Sequence, residues 1–285
     1  MVYRLQNRRR AAVLLIAASL LAVLVGCAPG PAVKPPVEAQ PPAPPDTFFA
    51  RAIPAEAAKG MIVSAHPLAS DAGLRVLRSG GNAIDATVAT LAVLNVVEPQ
   101  ASGLGGGGFL LYYDAAHDSF LVLDYRECAP SRLEKAKYFQ PGDTLHTVQR
   151  TGATSVCTPG APAGWQMMHS RFGTKLLKEL LEPAIALADS GYPVSEKQSA
   201  TILDFLAELQ SDSNLAHVFL SDSLPLQPGQ ILRQPRLAET LRFLSRTRLE
   251  SLCYPPFSEY IARAVQKGGG DLRASDLASY RVKER

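Results

Sequence analysis

The sequence predicts a mixed α/β fold of the α+β kind, and three observations predict it. Apolar residues recur at helical spacing through 68–79 and fill most faces of 83–97, with glycine and asparagine at the boundaries. A glycine-rich stretch at 103–108 is followed by two short runs of strand composition, 109–113 and 120–124. Beyond residue 160 the pattern is mostly helical. Hydrophobic residues make up 47% and charged residues 19% of the 285, so the chain has enough apolar surface for a sizeable core.

Residues 1–26 read as a lipoprotein signal peptide. Arg4, Arg8, Arg9 and Arg10 precede an apolar run at 11–25, which is short for a membrane-spanning helix and suited to a signal h-region. The run ends in LVGC at 24–27, similar to the bacterial lipobox, which makes Cys27 the expected lipidation site. An ordinary signal peptide or a retained anchor helix is the alternative. The expected location is outside the inner membrane, tethered by lipid; Ala28 rather than Asp after the cysteine favours the outer membrane if the cell is Gram-negative. The formal net charge is +3, but 29 Lys and Arg less these four arginines leaves 25 against 26 acidic residues. No basic surface for nucleic acid is expected.

Residues 27–50 read as a tether. Pro29, Pro31, Pro35, Pro36, Pro41, Pro42, Pro44 and Pro45 favour an extended, polyproline-like chain. The folded body is assigned to 51–285. Its first helix carries Leu68, Ala72, Val76 and Leu77 on one face and stops at Gly80-Gly81. Asn82 is placed to cap a second helix, apolar on most faces and therefore buried, which Pro99 ends. The two strands are joined by a polar turn at 114–118. Helices are expected near 161–171, 174–190, 195–209, 235–248 and 257–267, and a glycine cluster at 268–270 leads into a polar tail.

The glycine stretch contains G-x-G-x-x-G at Gly103, Gly105 and Gly108. A dinucleotide fingerprint needs a strand before it and a helix after it; here the order is reversed, so nucleotide binding is set aside. The stretch reads instead as a loop where backbones approach closely. Arg126 follows the second strand in DYRE at 124–127. A guanidinium at a rigid strand end is well aimed to grip a carboxylate through two parallel hydrogen bonds. On spacing alone, a surface ion pair with Asp124 or Glu127 is the favoured reading of Arg126, because most strand-end arginines are structural. His66 has Ser64 and Ser70 nearby but no third orienting residue, so it is read as structural. Trp165 is assigned to the core. Cys128, Cys157 and Cys253 fit no zinc spacing, and their default reading is buried small residues, with a Cys128–Cys157 bridge left open. No metal and no cofactor is expected.

These segments, in order, resemble the γ-glutamyltransferase family. The match runs through SAHPLAS at 64–70, LRSGGNAID at 77–85, VEPQASGLGGGGF at 97–109, DYRECAP at 124–130, PGAPAGW at 159–165, EPAIALA at 182–188, GYPV at 191–194, QPRLAETL at 234–241 and GGGDLRASDLASY at 268–280. CYPPF at 253–257 departs from the family's pattern there. The resemblance implies an N-terminal-nucleophile hydrolase with a four-layer αββα sandwich, incomplete in this chain. It implies a precursor that cleaves itself before a threonine located beyond residue 285, so that residues 51–285 are part of the large subunit and carry no catalytic residue. The implied partners are a small-molecule γ-glutamyl donor such as glutathione and a small subunit. The implied reaction transfers the γ-glutamyl group to water or an amino acid, with Arg126 binding the donor's α-carboxylate. Related acylases of cephalosporin or poly-γ-glutamate type, or a non-catalytic lipoprotein on the same scaffold, are the competing expectations.

Overall fold

The computed structural model describes residues 55–139, 141–142 and 147–285, the side chain of Thr147 excepted. The expected signal peptide, Cys27 and the tether lie outside the described residues. The body is one compact unit from Glu56 to Arg285.

Helix α1 is Pro67–Arg78, with proline at its first position, where the missing N–H costs no hydrogen bond. It ends as the glycines predict. Gly80 takes a left-handed φ of 83°, its N–H bonds to Leu77 O at 3.1 Å, and the N–H of Gly81 reaches Val76 O at 3.0 Å. This paired closure is the Schellman geometry.

Helix α2, Ala83–Val97, opens with a capping box: Asp85 N–H donates to Asn82 Oδ1 at 2.9 Å and Asn82 N–H to Asp85 Oδ2 at 3.0 Å. The helix is apolar almost all round and is buried almost all round. It packs against α1, against α3 (Ala161–Phe172) and against α4 (Leu177–Ser190), so it is the axis of the helical layer. Its C-terminal end is pinned at Val96, whose carbonyl accepts from Tyr192 Oη at 3.1 Å and Gln234 Nε2 at 2.7 Å.

Strands β1 (Phe109–Asp114) and β2 (Ser119–Asp124) form an antiparallel hairpin in the register Phe109↔Asp124 to Asp114↔Ser119. In β1, Leu110 and Tyr112 turn toward the helices, while Phe109, Leu111 and Tyr113 are exposed on the other face with Phe120. An apolar sheet face open to solvent is the face a second layer covers in a four-layer sandwich.

After α4, strand β3 (Tyr192–Pro193) leads into α5 (Glu196–Asp204), α6 (Leu206–Ser211) and α7 (Ser213–Phe219). Strands β4 (Leu220–Ser221) and β5 (Leu224–Pro225) form a short hairpin, and β6 (Ile231–Leu232) pairs with β3. Helices α8 (Pro235–Arg246), α9 (Phe257–Lys267) and α10 (Ala274–Ser279) follow. The expected helix at 195–209 is divided at Phe205, whose φ of −106° and ψ of 20° leave the helical region. The polar tail after Asp271 forms α10 and then β7 (Lys283–Glu284), which pairs antiparallel with β2 and makes the sheet order β1-β2-β7.

Candidate functional site

The site forms where β2 ends. Asp124, its last residue, is buried, and its carboxylate is fully used. Oδ1 accepts from the backbone N–H of Arg126 at 3.1 Å, and Oδ2 accepts from Arg285 Nε at 2.9 Å and Nη2 at 2.7 Å. Hydrogen bonds from Arg285 and from the Arg126 amide hold the Asp124 carboxyl below the usual carboxylate range. The backbone of Arg126 is fixed from the other side, because Tyr280 Oη donates to its carbonyl at 2.8 Å. Burial pushes the Tyr280 phenol up, with Cys128, Asp124 and Glu127 adding to it, so it is a donor at any ordinary pH.

With Asp124 engaged by Arg285, the guanidinium of Arg126 is left over. Its side chain is 66% exposed, and its ionic neighbour is Glu127, with Nε 3.5 Å from Oε2, too far for a strong hydrogen bond. Among the described residues no hydrogen bond holds it. A rigid backbone therefore carries a free planar fork at the edge of the sheet. Of the two ion-pair partners weighed from spacing, Asp124 belongs to Arg285 and Glu127 makes only this loose contact.

The glycine loop packs directly on this strand end. Gly108 N–H donates to Tyr125 O at 3.3 Å and Tyr125 N–H to Gly108 O at 3.0 Å, which extends the hairpin by one more pair. The carbonyl of Gly106 accepts from the N–H groups of Gly160 at 3.0 Å and Ala161 at 2.9 Å at the start of α3. A Cβ on Gly107 would sit 2.5 Å from Tyr125 O and 2.8 Å from both Glu127 N and Oε2. This is the close backbone approach expected of the stretch, and only glycine leaves room for it.

From sequence, Glu127 is weighed only as an ion-pair partner of Arg126. Its Oε2 is buried beneath the loop and lacks a hydrogen-bond partner. No spacing rule signals this, because the position of the carboxylate depends on the loop from 103–108 folding over it.

His66 caps α1, its Nδ1 accepting from Leu68 N–H at 3.2 Å. Ser64 Oγ shares a hydrogen bond with Ser70 Oγ at 2.8 Å and donates to the His66 carbonyl at 2.9 Å, not to the imidazole, so no nucleophile–base pair forms. Burial lowers the His66 pKa, against an opposing pull from Glu98 and with a smaller contribution from Lys197. Trp165 is in the core. Cys253 is buried as a small residue, whereas Cys128 and Cys157 are free and exposed on either side of a backbone bridge between Cys128 and Thr158. These two depart from the buried default because their segments run along the surface next to the site. Burial and the neighbouring Glu127 and Cys128 raise the Cys157 thiol. Among the described residues no group of three or more His, Cys, Asp and Glu is arranged to hold a metal ion.

The mixed helix-and-sheet body is similar to solved γ-glutamyltranspeptidases and acylases, and its fold is that of the N-terminal-nucleophile hydrolases. The γ-glutamyltranspeptidase from Helicobacter pylori has a similar structure, with a TM-score of 0.76 and 34% identity, covering 82% of this chain and 67% of that one. In sequence the chain is 36% identical over 225 residues to the glutathione hydrolase proenzyme of Bacillus subtilis (strain 168), covering 78% of this chain and 38% of that protein. It is 37% identical over 239 residues to the acylase ACY 1 proenzyme of Pseudomonas sp. (strain V22), covering 81% and 43%. The profile of the gamma-glutamyltranspeptidase family matches residues 69–285, and the chain belongs to that family of enzymes. It spans about two fifths of the length of these curated relatives.

Proposed function

We propose that this chain is the donor-binding part of the large subunit of a γ-glutamyltransferase precursor, and that Arg126 binds the α-carboxylate of a γ-glutamyl donor such as glutathione. The observation that carries the reading is the unengaged guanidinium on a backbone fixed by Asp124 and Tyr280. A fork whose backbone is held and whose nitrogens make only a loose 3.5 Å ion pair with Glu127 is preorganised for an external carboxylate. The amide bond to be broken then lies beyond the γ-carbon of the held donor. A threonine supplied by polypeptide beyond residue 285 attacks that carbonyl. The amine leaves with a proton, and water or an amino acid takes the γ-glutamyl group from the threonine ester. Residues 1–285 by themselves hold no such threonine and are proposed to be inactive. Cys27 is proposed to carry the lipid that keeps the enzyme at a bacterial membrane, outside the inner membrane.

The test is Arg126→Ala in the precursor extended to include the small subunit. Losing a charge-assisted hydrogen bond costs about 1.5–3 kcal/mol. At about 1.4 kcal/mol per tenfold, kcat/KM for a γ-glutamyl anilide falls at least tenfold and on the order of a hundredfold. Arg126→Lys recovers only part, because an ammonium lacks the planar fork. Self-cleavage is unchanged in both. A cleaved Arg126→Ala enzyme with undiminished kcat/KM refutes the assignment.

The similarity to ACY 1, as high as that to the glutathione hydrolase, supports a second reading in which the acyl group is a different one. Turnover of a γ-glutamyl anilide against a glutaryl or adipyl amide of the same amine separates the two, since the glutaryl group keeps the carboxylate in the same place and lacks only the α-amino group, and the adipyl group moves the carboxylate one carbon further away.

A further inference from the structure

Asp124 is the carboxylate best placed to capture the Arg126 fork. Side chains two residues apart on an extended segment share a face. The ladder runs on past Asp124 through the pair of Tyr125 with Gly108, which keeps Asp124 and Arg126 in that relation. Glu127 competes poorly, because its Oε2 is buried beneath the glycine loop and lies 3.5 Å from Arg126 Nε. A residue from the neighbouring strand keeps Asp124 occupied. Arg285 exchanges both backbone hydrogen bonds with Val122, at 3.4 and 3.0 Å, one step beyond the pairs Leu123↔Glu284 and Asp124↔Lys283. Val122 and Asp124 share a face of β2, so the Arg285 side chain is the diagonal cross-strand neighbour of Asp124. It closes on Oδ2 through Nε at 2.9 Å and Nη2 at 2.7 Å. Lys283 stands opposite Asp124 in the register but, among the described residues, forms no ion pair with it. Asp124, Glu127, Arg126 and Arg285 sum to no net charge; without Arg285 the strand end is negative, which disfavours a second carboxylate there.

We infer that Arg285 is a positioning residue for the donor site: it occupies Asp124 and so keeps that carboxylate from pairing with Arg126 in competition with the donor's own. The kinetic side of this inference rests on the functional reading above; the pairing itself does not. The role is separate from holding the Arg126 backbone, which Asp124 Oδ1 and Tyr280 do directly. Without Arg285, Asp124 and Arg126 form an internal ion pair. A pair with the strength usual at a protein surface leaves the fork free about 15–40% of the time. The donor then binds only that fraction, so KM rises about twofold to sixfold. The bound donor meets the same fork as before, so kcat changes little.

The test is arginine labelling with phenylglyoxal in residues 1–285, read at Arg126 by peptide mass and normalised to Arg246, exposed at the end of α8. Every protein compared carries Lys283→Gln, so that this ammonium cannot replace the missing guanidinium. Arg285→Ala, and Arg285→Gln as the variant that keeps a side-chain donor near Oδ2, are expected to slow labelling of Arg126 about twofold to sixfold, the factor of the same pair. Adding Asp124→Asn to either restores the rate, because the amide keeps an oxygen for the Arg126 N–H and carries no charge. Labelling that does not slow, or slowing that Asp124→Asn does not relieve, overturns the inference. Failure of both Arg285 variants to fold makes Arg285 a structural residue and overturns it too. In the precursor extended to include the small subunit, the same variants should raise KM for a γ-glutamyl anilide and Asp124→Asn should reverse the rise; an unmoved KM beside slowed labelling overturns the positioning role. If labelling follows the expected pattern but Arg126→Ala keeps its kcat/KM, the functional reading fails and the pairing stands. If Arg126→Ala loses kcat/KM but labelling does not respond to Arg285, this inference fails and the functional reading stands.

Discussion

Replacing Asp85 should destabilise the body more than any other single polar change among the described residues. The side chain is completely buried. Besides closing the capping box on Asn82 N–H at 3.0 Å, its carboxylate accepts from Thr174 N–H at 2.9 Å, Thr174 Oγ at 2.6 Å and Lys175 N–H at 3.1 Å. One residue thus ties the start of α2 to the turn between α3 and α4. Asp85→Ala leaves three part-buried backbone N–H groups, of Asn82, Thr174 and Lys175, without their acceptor. Each bond to a charged group is worth about 1.5–3 kcal/mol, but they share one desolvation cost that the substitution also removes. The net loss is then about 3–5 kcal/mol, as for breaking a buried charge network. For a domain stable by about 5–15 kcal/mol this is a large fraction. Asp85→Asn keeps one oxygen for Thr174 and Lys175 but points N–H₂ at the Asn82 amide, so it should fall between wild type and Ala. Urea denaturation of residues 1–285 measures both.

The pH dependence adds a check on the same residue. Burial pushes the Asp85 carboxyl up, but the hydrogen bonds from Thr174, Asn82 and Lys175 outweigh it and its pKa is lowered. A carboxyl whose folded pKa lies below its unfolded value of about 3.9 stabilises the fold above that value and loses the contribution as pH falls through the folded pKa. The gap between wild type and Asp85→Asn should therefore be constant near neutrality and narrow below about pH 4. A loss under about 1 kcal/mol for Asp85→Ala, below the range for a buried network, refutes the reasoning.

Three further outcomes follow from the site and the N-terminal segment. Gly107→Ala forces a Cβ against Tyr125 O and Glu127 and should cost about 1–3 kcal/mol by overpacking, whereas Gly105→Ala, with nothing within 4 Å of its Cβ, should stay within about 0.5 kcal/mol by the same urea titration. Residues 1–285 alone should give no turnover of a γ-glutamyl anilide above background, and measurable turnover would show a nucleophile within this chain. Cys27→Ser should release the protein from the membrane fraction or block signal processing, read by fractionation with labelled fatty acid; unchanged attachment without label on the wild type would remove the lipobox.

The sequence by itself determined the elements whose signals are local. The cap at Asn82, the glycine pair after α1, Pro99 after α2 and the strand composition of 109–113 each act locally along the chain, and each element lies where those residues put it. It also marked Arg126 as a guanidinium at a strand end, because strand ends are read from composition. Only the tertiary structure decided what that guanidinium is free to do. Asp124 meets Arg285 across 161 positions and Tyr280 meets Arg126 across 154, separations at which no periodicity speaks. The hairpin of β4 and β5 was silent for a different reason: its turn puts Asp222 and Ser223 at positive φ, where the usual signal is glycine or asparagine. Capping and turn energies are set by neighbours along the chain, whereas the partner of a buried charge is set by which segments the core brings together. That is why Asn82 reads as a cap in sequence, while the role of Asp85 as the joint between three helices appears only in space.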